Sequence, residues 1–276
     1  MLIIGELAFD APAVMGILNV TPDSFSDGGR FTGRDAALRQ AEAMARDGAA
    51  IIDIGGESTR PGAAGVSTQE ELDRVIPVIE AVAGTIDVPI SVDTSKPAVM
   101  RAAVGAGAIM INDTRALREE GALQVAAELQ APVCLMHMQG QPRTMQEQPV
   151  YDNVVTEVAE FLAARVRACV AAGLAEDSII VDPGFGFGKA PRHNIELLAN
   201  LRQLRSVGRP ILVGLSRKST LGTLTGRDVE ERMPASIAAA VISVIEGALI
   251  VRAHDVRETV DAIRVTAAVM ERGKGR

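Results

Sequence analysis

Eight short apolar runs, each ending in a hydrogen-bonding or charged residue, constrain the fold of this chain more than any other feature. They are VMGILNV (14–20), AAIIDIGG (49–56), VPISVDT (88–94), AIMINDT (108–114), PVCLMHM (132–138), IIVDPG (179–184), PILVGLS (210–216) and LIVRAHD (249–255). Runs this short and this apolar suit strands buried on both faces of a parallel sheet. Between them lie stretches with helical spacing, such as RDAALRQAEAMARDGA and YDNVVTEVAEFLAARVRACVAAG, several closing on a glycine of the C-cap type. Strand and helix alternating eight times predict an α/β fold, a (β/α)8 TIM barrel, as a single domain over residues 1–276. A doubly wound sheet would need a topological switch point and usually fewer strands. No linker, charge block or low-complexity segment marks a second domain.

In a barrel the C-terminal ends of the strands converge on one face, where such folds hold their sites. The polar residues expected there are Asn19, Asp53, Asp93, Asn112, His137, Asp182, Ser216 with Lys218, and Arg252 with His254. Any one of them could be only a helix cap or a turn former. Eight in register predict a polar cup. Asp93, Asn112, Asp182 and Lys218 offer two carboxylates, an amide and an ammonium, which suit a flat heterocycle with fused donor and acceptor edges, because buried polar groups must be paired. Lys218, Arg252 and His254 come from the last two strands, where barrels commonly bind phosphate, and the last two residues fall on one side of their strand. The cup is therefore expected to take a ring and an anion together. The three histidines, His137, His193 and His254, are scattered and lack metal-ligand spacing.

The segment DPGFGFGK (182–189) invites a nucleotide reading that its residues exclude. A P-loop needs glycine where Pro183 stands and Ser or Thr where Ala190 stands, and the dinucleotide fingerprint needs glycine at Lys189. The formal charge of −7 and a pI near 5.1 disfavour nucleic acid and membrane surfaces as partners. Cys134 and Cys169, both in apolar runs, read as buried thiols of a reducing compartment. The opening MLIIGELAFD lacks the basic region of a signal peptide, and no apolar run reaches membrane-spanning length, so a cytoplasmic protein is expected. Two long Gly-, Ser- and Thr-rich loops, residues 21–33 and 57–68, would rim the cup and act as lids.

The motifs MGILNVTPDSFSDGG, DIGGESTRPGA, SVDT, MHMQG, DPGFGFGK, GLSRKS and VRAHDV, in this order over residues 14–256, resemble those of the bacterial dihydropteroate synthases, pterin-binding enzymes. The family more often reads INDV or INDI where this chain has INDT, and VRVHDV where it has VRAHDV, changes that touch none of the residues below. The resemblance implies a (β/α)8 transferase of folate biosynthesis, a sulfonamide target, that joins 6-hydroxymethyl-7,8-dihydropterin pyrophosphate to p-aminobenzoate and releases pyrophosphate. It implies that Asp93, Asn112, Asp182 and Lys218 bind the dihydropterin, with Met136 and Phe187 lining the pocket. It further implies that Asn19 helps hold Mg²⁺, that Thr59, Arg252 and His254 hold the pyrophosphate, that Phe25, Arg60, Pro61 and Ser219 frame the aminobenzoate, and that Asp27 sits near the carbon under attack. A homodimer is the family expectation. Two alternatives differ in class. A corrinoid-dependent pterin methyltransferase would not need SRKS or the RAHD anion site, and a non-catalytic paralogue would be expected to lose Phe25, Asp27 or Arg60, all of which are present.

Overall fold

The computed structural model describes residues 2–4, 7–21, 30–58, 65–140 and 144–273. Most of both expected lid loops, including Phe25, Asp27, Thr59, Arg60 and Pro61, therefore lies outside the described residues. The end of the first does not belong to a loop: residues 30–33 open helix α1 (Arg30–Arg46).

Eight parallel strands form one sheet: β3 (Ala13–Asn19), β4 (Ile51–Gly55), β5 (Ile90–Asp93), β6 (Met110–Asp113), β7 (Val133–Met136), β8 (Ile179–Asp182), β9 (Leu212–Val213) and β10 (Ile250–Ala253). Their order is β8-β7-β6-β5-β4-β3-β10-β9. The two ends of that order meet through a single parallel bridge, Val181 to Ile211, with the Val181 N–H donating to the Pro210 carbonyl at 3.0 Å. Seven of the eight strands follow one another round the circle, as the alternating pattern requires, and β10 closes it against β3 in register Ile250↔Ala13 and Arg252↔Met15. The (β/α)8 barrel read from the sequence is the fold observed.

The helices α2 (Thr68–Ala83), α3 (Pro97–Gly105), α4 (Ala122–Leu129), α5 (Val154–Ala171), α6 (Pro191–Ala199), α7 (Ser219–Thr225), α8 (Met233–Ile245) and α9 (Val256–Gly273) lie between and after the strands. Their starts are written in the sequence. Ser67 caps α2, its hydroxyl accepting from the Glu70 N–H at 3.2 Å, and Asn153 caps α5 by accepting from the Thr156 N–H at 3.0 Å. Proline stands in the first turn of α3, α6 and α8, where its missing N–H costs nothing. The outward faces of the strands pack on these helices in one large apolar core.

Inward-facing residues follow the period of two. Met15, Ile51, Met110, Cys134, Ile180, Leu212 and Ile250 form an apolar layer near the N-terminal ends of the strands. Ile4 and Phe9 pack into the same cluster from a hairpin that the sequence reading missed, β1 (Leu2–Ile4) paired antiparallel with β2 (Leu7–Phe9). The hairpin thus covers the lower end of this packed layer. Cys134 and Cys169 are both buried and unpaired, and burial pushes both thiols above their ordinary value, Cys169 to about 11.

Candidate active site

Above the apolar layer the inward positions turn polar, and the register shows how they are stacked. Asp53 pairs with Ser91 across β4 and β5, while Gly55 pairs with Asp93 and Asp93 with Asn112. Asp93 finds its space because Gly55 has no side chain: a Cβ there would lie 3.3 Å from the Asp93 Cβ. Asp53 sits deeper and is fully buried. Its Oδ2 accepts from the Asn112 amide at 2.9 Å and from Arg252 Nε at 2.6 Å. Arg252 donates from a second nitrogen to Asp93 at 2.8 Å. The residue expected to hold an anion is thus anchored to Asp53 and to Asp93, one of the carboxylates expected to bind the ring. It keeps further N–H donors, since a guanidinium carries five and these bonds use two.

Asp182 ends β8 beside Met136, its register partner on β7. Asp182 Oδ1 accepts from the Gly184 N–H at 2.7 Å, which fixes the carboxylate at the start of the glycine-rich turn. Phe187 and Met136 are buried and pack together with Met138 and Met145. Lys218 caps α7 and holds its ammonium 4.4 Å from the centre of the Phe187 ring while donating to the Phe185 carbonyl. Ser219, the first residue of α7, is exposed beside it. His254 is tied to the end of β9: its ring Nδ1 and the Ser216 hydroxyl are 3.0 Å apart, and its N–H donates to the same hydroxyl at 3.1 Å. With the hydroxyl accepting that N–H, its own proton can go to Nδ1. Asn19, half-buried at the end of β3, completes the ring of strand ends.

One expected member of the cup is not there. His137 follows the inward-facing Met136 and so turns to the helix side, edge-on to the Phe161 ring at 4.9 Å between centroids. It serves a different purpose. Lys189, buried to 1 % exposure, places its ammonium 2.8 Å from His137 Nδ1, 2.9 Å from the Gly184 carbonyl and 3.1 Å from the Phe187 carbonyl. Burial, with the Lys189 charge, pulls the His137 pKa down to about 2, so the ring stays neutral and offers a lone pair. The three nearest acceptors face three ammonium protons, with the His137 carbonyl further off at 3.5 Å.

The rest of the turn is closed in the same manner. Tyr151 donates to the Gly188 carbonyl at 2.7 Å, and the Gly186 N–H goes to Asn194 at 2.9 Å. Gly184 and Gly188 have φ of 68° and 63°, and a Cβ would lie 1.9 Å from the His137 oxygen and 2.3 Å from the Gln139 oxygen. DPGFGFGK is thus a turn packed backbone to backbone on the β7 loop, with the amides of Gly184 and Gly186 already committed to protein acceptors.

Burial raises the pKa of Asp182 above the ordinary carboxylate value, with Lys218 opposing, and raises Asp93 to about 7, with Arg252 opposing and Asp53 reinforcing. Burial also lowers Lys218 to about 8, against the pull of Asp182. A ligand that donates N–H groups to Asp93 and Asp182 needs both ionised. Its affinity should therefore fall on acidification from about pH 7.5 to about pH 5.5. The fold does not weaken over that range on account of these two groups. A raised folded pKa means that the native state binds the proton more tightly than the unfolded chain, so protonating them favours folding. Calorimetry with a pterin at the two pH values checks this, and an unchanged Kd would contradict it.

An α/β barrel with acceptors set deep and cations nearer the mouth is built to hold a polar ring by its edges. The chain belongs to a family of such proteins, described as "Pterin binding enzyme", whose profile matches residues 15–254. It is 55 % identical over 265 residues to the dihydropteroate synthase of Escherichia coli strain K12, covering 96 % of this chain and 94 % of that one. The Yersinia pestis dihydropteroate synthase, solved as a sulfonamide drug complex, superposes with a TM-score of 0.92 at 54 % identity, covering 96 % of each chain. The Xanthomonas albilineans enzyme in complex with 7,8-dihydropteroate superposes with a TM-score of 0.88 at 50 % identity, covering 96 % of this chain and 95 % of that one.

Proposed function

We infer that the chain is a dihydropteroate synthase, a transferase that condenses 6-hydroxymethyl-7,8-dihydropterin pyrophosphate with p-aminobenzoate to give 7,8-dihydropteroate and pyrophosphate. The observation that carries this reading is the near-complete match to dihydropteroate synthases together with the buried Asp53, Asn112, Arg252 and Asp93 network at the floor of the cup. Neither a corrinoid-dependent methyltransferase nor a non-catalytic paralogue is supported by these relatives.

The residue roles follow from the chemistry the site can offer. Asp182, Asn112 and Asp93 accept from the ring, Lys218 donates to it, and Met136 and Phe187 provide the apolar walls. As the bond from the pterin methylene carbon to oxygen breaks, pyrophosphate takes the electron pair and the electron-rich ring stabilises the cation left behind. Arg252, His254 and Thr59 would hold the leaving pyrophosphate. The aminobenzoate nitrogen, framed by Phe25, Arg60, Pro61 and Ser219 and with Asp27 near the carbon, then forms the new C–N bond and loses a proton to solvent. No strong base is required, and positioning and charge neutralisation supply the rate. Mg²⁺ is part of this proposal. Asn19 supplies one oxygen ligand, its amide has no hydrogen-bond partner among the described residues, and a hard cation that keeps water and phosphate ligands needs little more from the protein. Bound there it would neutralise the pyrophosphate.

A homodimer is proposed as well, supported by the exposed Ile242 and Ile245 on α8 and Val265 and Val269 on α9, two helices that pack side by side. A light-scattering mass of one chain would refute it. No helix among the described residues is long and apolar enough to cross a membrane, and a cytoplasmic site of action fits the two unpaired thiols. The decisive assay for the reaction is pyrophosphate release with both substrates and with each omitted. Release only when both are present is expected, and release independent of aminobenzoate would overturn the assignment.

A further inference from the structure

We propose that Asp53 is a positioning residue that sets the acceptor face of the ring subsite, by fixing which end of the Asn112 amide points into the cup. The proposal deepens the pterin-binding reading and rests on it.

An asparagine side chain can present either its oxygen or its NH2 to a ligand, and only its other partner decides which. Here the other partner is Asp53. Its Oδ2 lies 2.9 Å from the Asn112 amide and 2.6 Å from Arg252 Nε. The oxygen that accepts from the guanidinium faces Asn112 as an acceptor too. Asn112 must therefore turn its NH2 toward Asp53, which leaves its carbonyl oxygen without a protein partner among the described residues and free for a ligand N–H. The same carboxylate oxygen holds Arg252, which in turn donates to Asp93 at 2.8 Å. One buried oxygen thus orients two of the groups that define the ring subsite and touches no part of the ring. Asp53 can hold this position because β4 and β5 leave it a layer below Asp93, opposite Ser91, where its exposure is zero. Its second oxygen, Oδ1, is buried without a partner, as is the Ser91 hydroxyl. The carboxylate is therefore not placed to satisfy the interior around it, and its bonds all run to the cup.

The test uses Asp53→Asn, which keeps the volume, and calorimetry of the full chain with 6-hydroxymethylpterin and with 6-hydroxymethyllumazine, in which the ring 2-amino group is replaced by oxygen. The neutral variant can donate to the Asn112 oxygen, so the amide can turn and face a donor rather than an acceptor toward the ring. Wild type should prefer the hydroxymethylpterin, and Asp53→Asn should weaken its binding by about tenfold or more while shrinking that preference. In an Asn112→Ala background the same change should cost less than about threefold, because the two residues act in series. In steady state the Michaelis constant for the pterin substrate should rise and that for aminobenzoate should not. Unchanged Kd and preference in Asp53→Asn would overturn the proposal, as would a lowered binding stoichiometry or melting temperature with unaltered Kd, the mark of a purely structural residue. Equal multiplicative effects in both backgrounds would also overturn it. Failure of wild type to bind the hydroxymethylpterin at all would instead overturn the pterin-binding reading.

Discussion

Replacing Asp182 with alanine should abolish measurable binding of a pterin to the free protein while leaving the barrel folded. The carboxylate is fixed by the Gly184 N–H at 2.7 Å and faces a site whose other walls, Met136 and Phe187, are apolar. A ring donating two N–H groups to it would lose charge-assisted bonds of roughly 1.5–3 kcal/mol each. A loss of roughly 3–6 kcal/mol is a fall of two to four orders of magnitude in affinity, beyond the reach of ordinary calorimetry. The fold should tolerate the change, because burial holds the Asp182 pKa above its usual value and its charge is not a source of stability. Retained affinity within a factor of a few would remove Asp182 from the ring subsite.

The second large effect should come from a residue that touches no substrate. Lys189→Met keeps the aliphatic stem but removes the ammonium from three acceptors, the Gly184 and Phe187 carbonyls and His137 Nδ1. Two opposing quantities decide the outcome. Removing a cation from a site with 1 % exposure regains part of its desolvation cost, and burial indeed pulls the Lys189 pKa well below normal. Against this, three buried acceptors lose their donor at about 1–3 kcal/mol each. The acceptors should win, with a net loss of about 3 kcal/mol in urea unfolding. The turn they belong to starts at Asp182 and contains Phe187, so the Met variant should also lose affinity for a pterin. Stability equal to or above wild type would show that desolvation dominates at this lysine.

How much of this was legible in the sequence depends on the range of the interaction concerned. The eight strands were, because burial on both faces writes an unbroken apolar run into each, and even β9, only two residues long between Pro210 and Gly214, stood out within PILVGLS. The cup residues were legible for the same reason: a polar residue ending such a run needs a cause. The failures have several origins. Counting strand ends treats neighbouring positions alike, but a strand alternates, so His137 faces the helices while Met136 faces the cup. Asp53 appeared among the strand-end residues without a role, because its partners Asn112 and Arg252 are 59 and 199 positions away. A closer reading could have noted that Asp53 and Gly55 share a face, the glycine making room above the acid. The purpose of Lys189 had no local signal, since all that identifies it is the three-dimensional convergence of acceptors. The β1–β2 hairpin leaves only a weak signal in MLIIGELAFD, two apolar runs of three residues each.

That hairpin has a kinetic meaning. With the apolar layer filling the barrel and Ile4 and Phe9 packed beneath it, the cup has a closed floor, and traffic through a cup with one mouth is last in, first out. A pterin seated against Asn112 and Asp182 must arrive before anything that sits above it, and an arylamine that enters first at the rim obstructs the pterin rather than waiting for it. Excess aminobenzoate should therefore act as a competitive brake on pterin entry in initial-rate measurements, a queueing rule imposed by a plug at the opposite end of the molecule from the chemistry; random-order kinetics without that brake would contradict it.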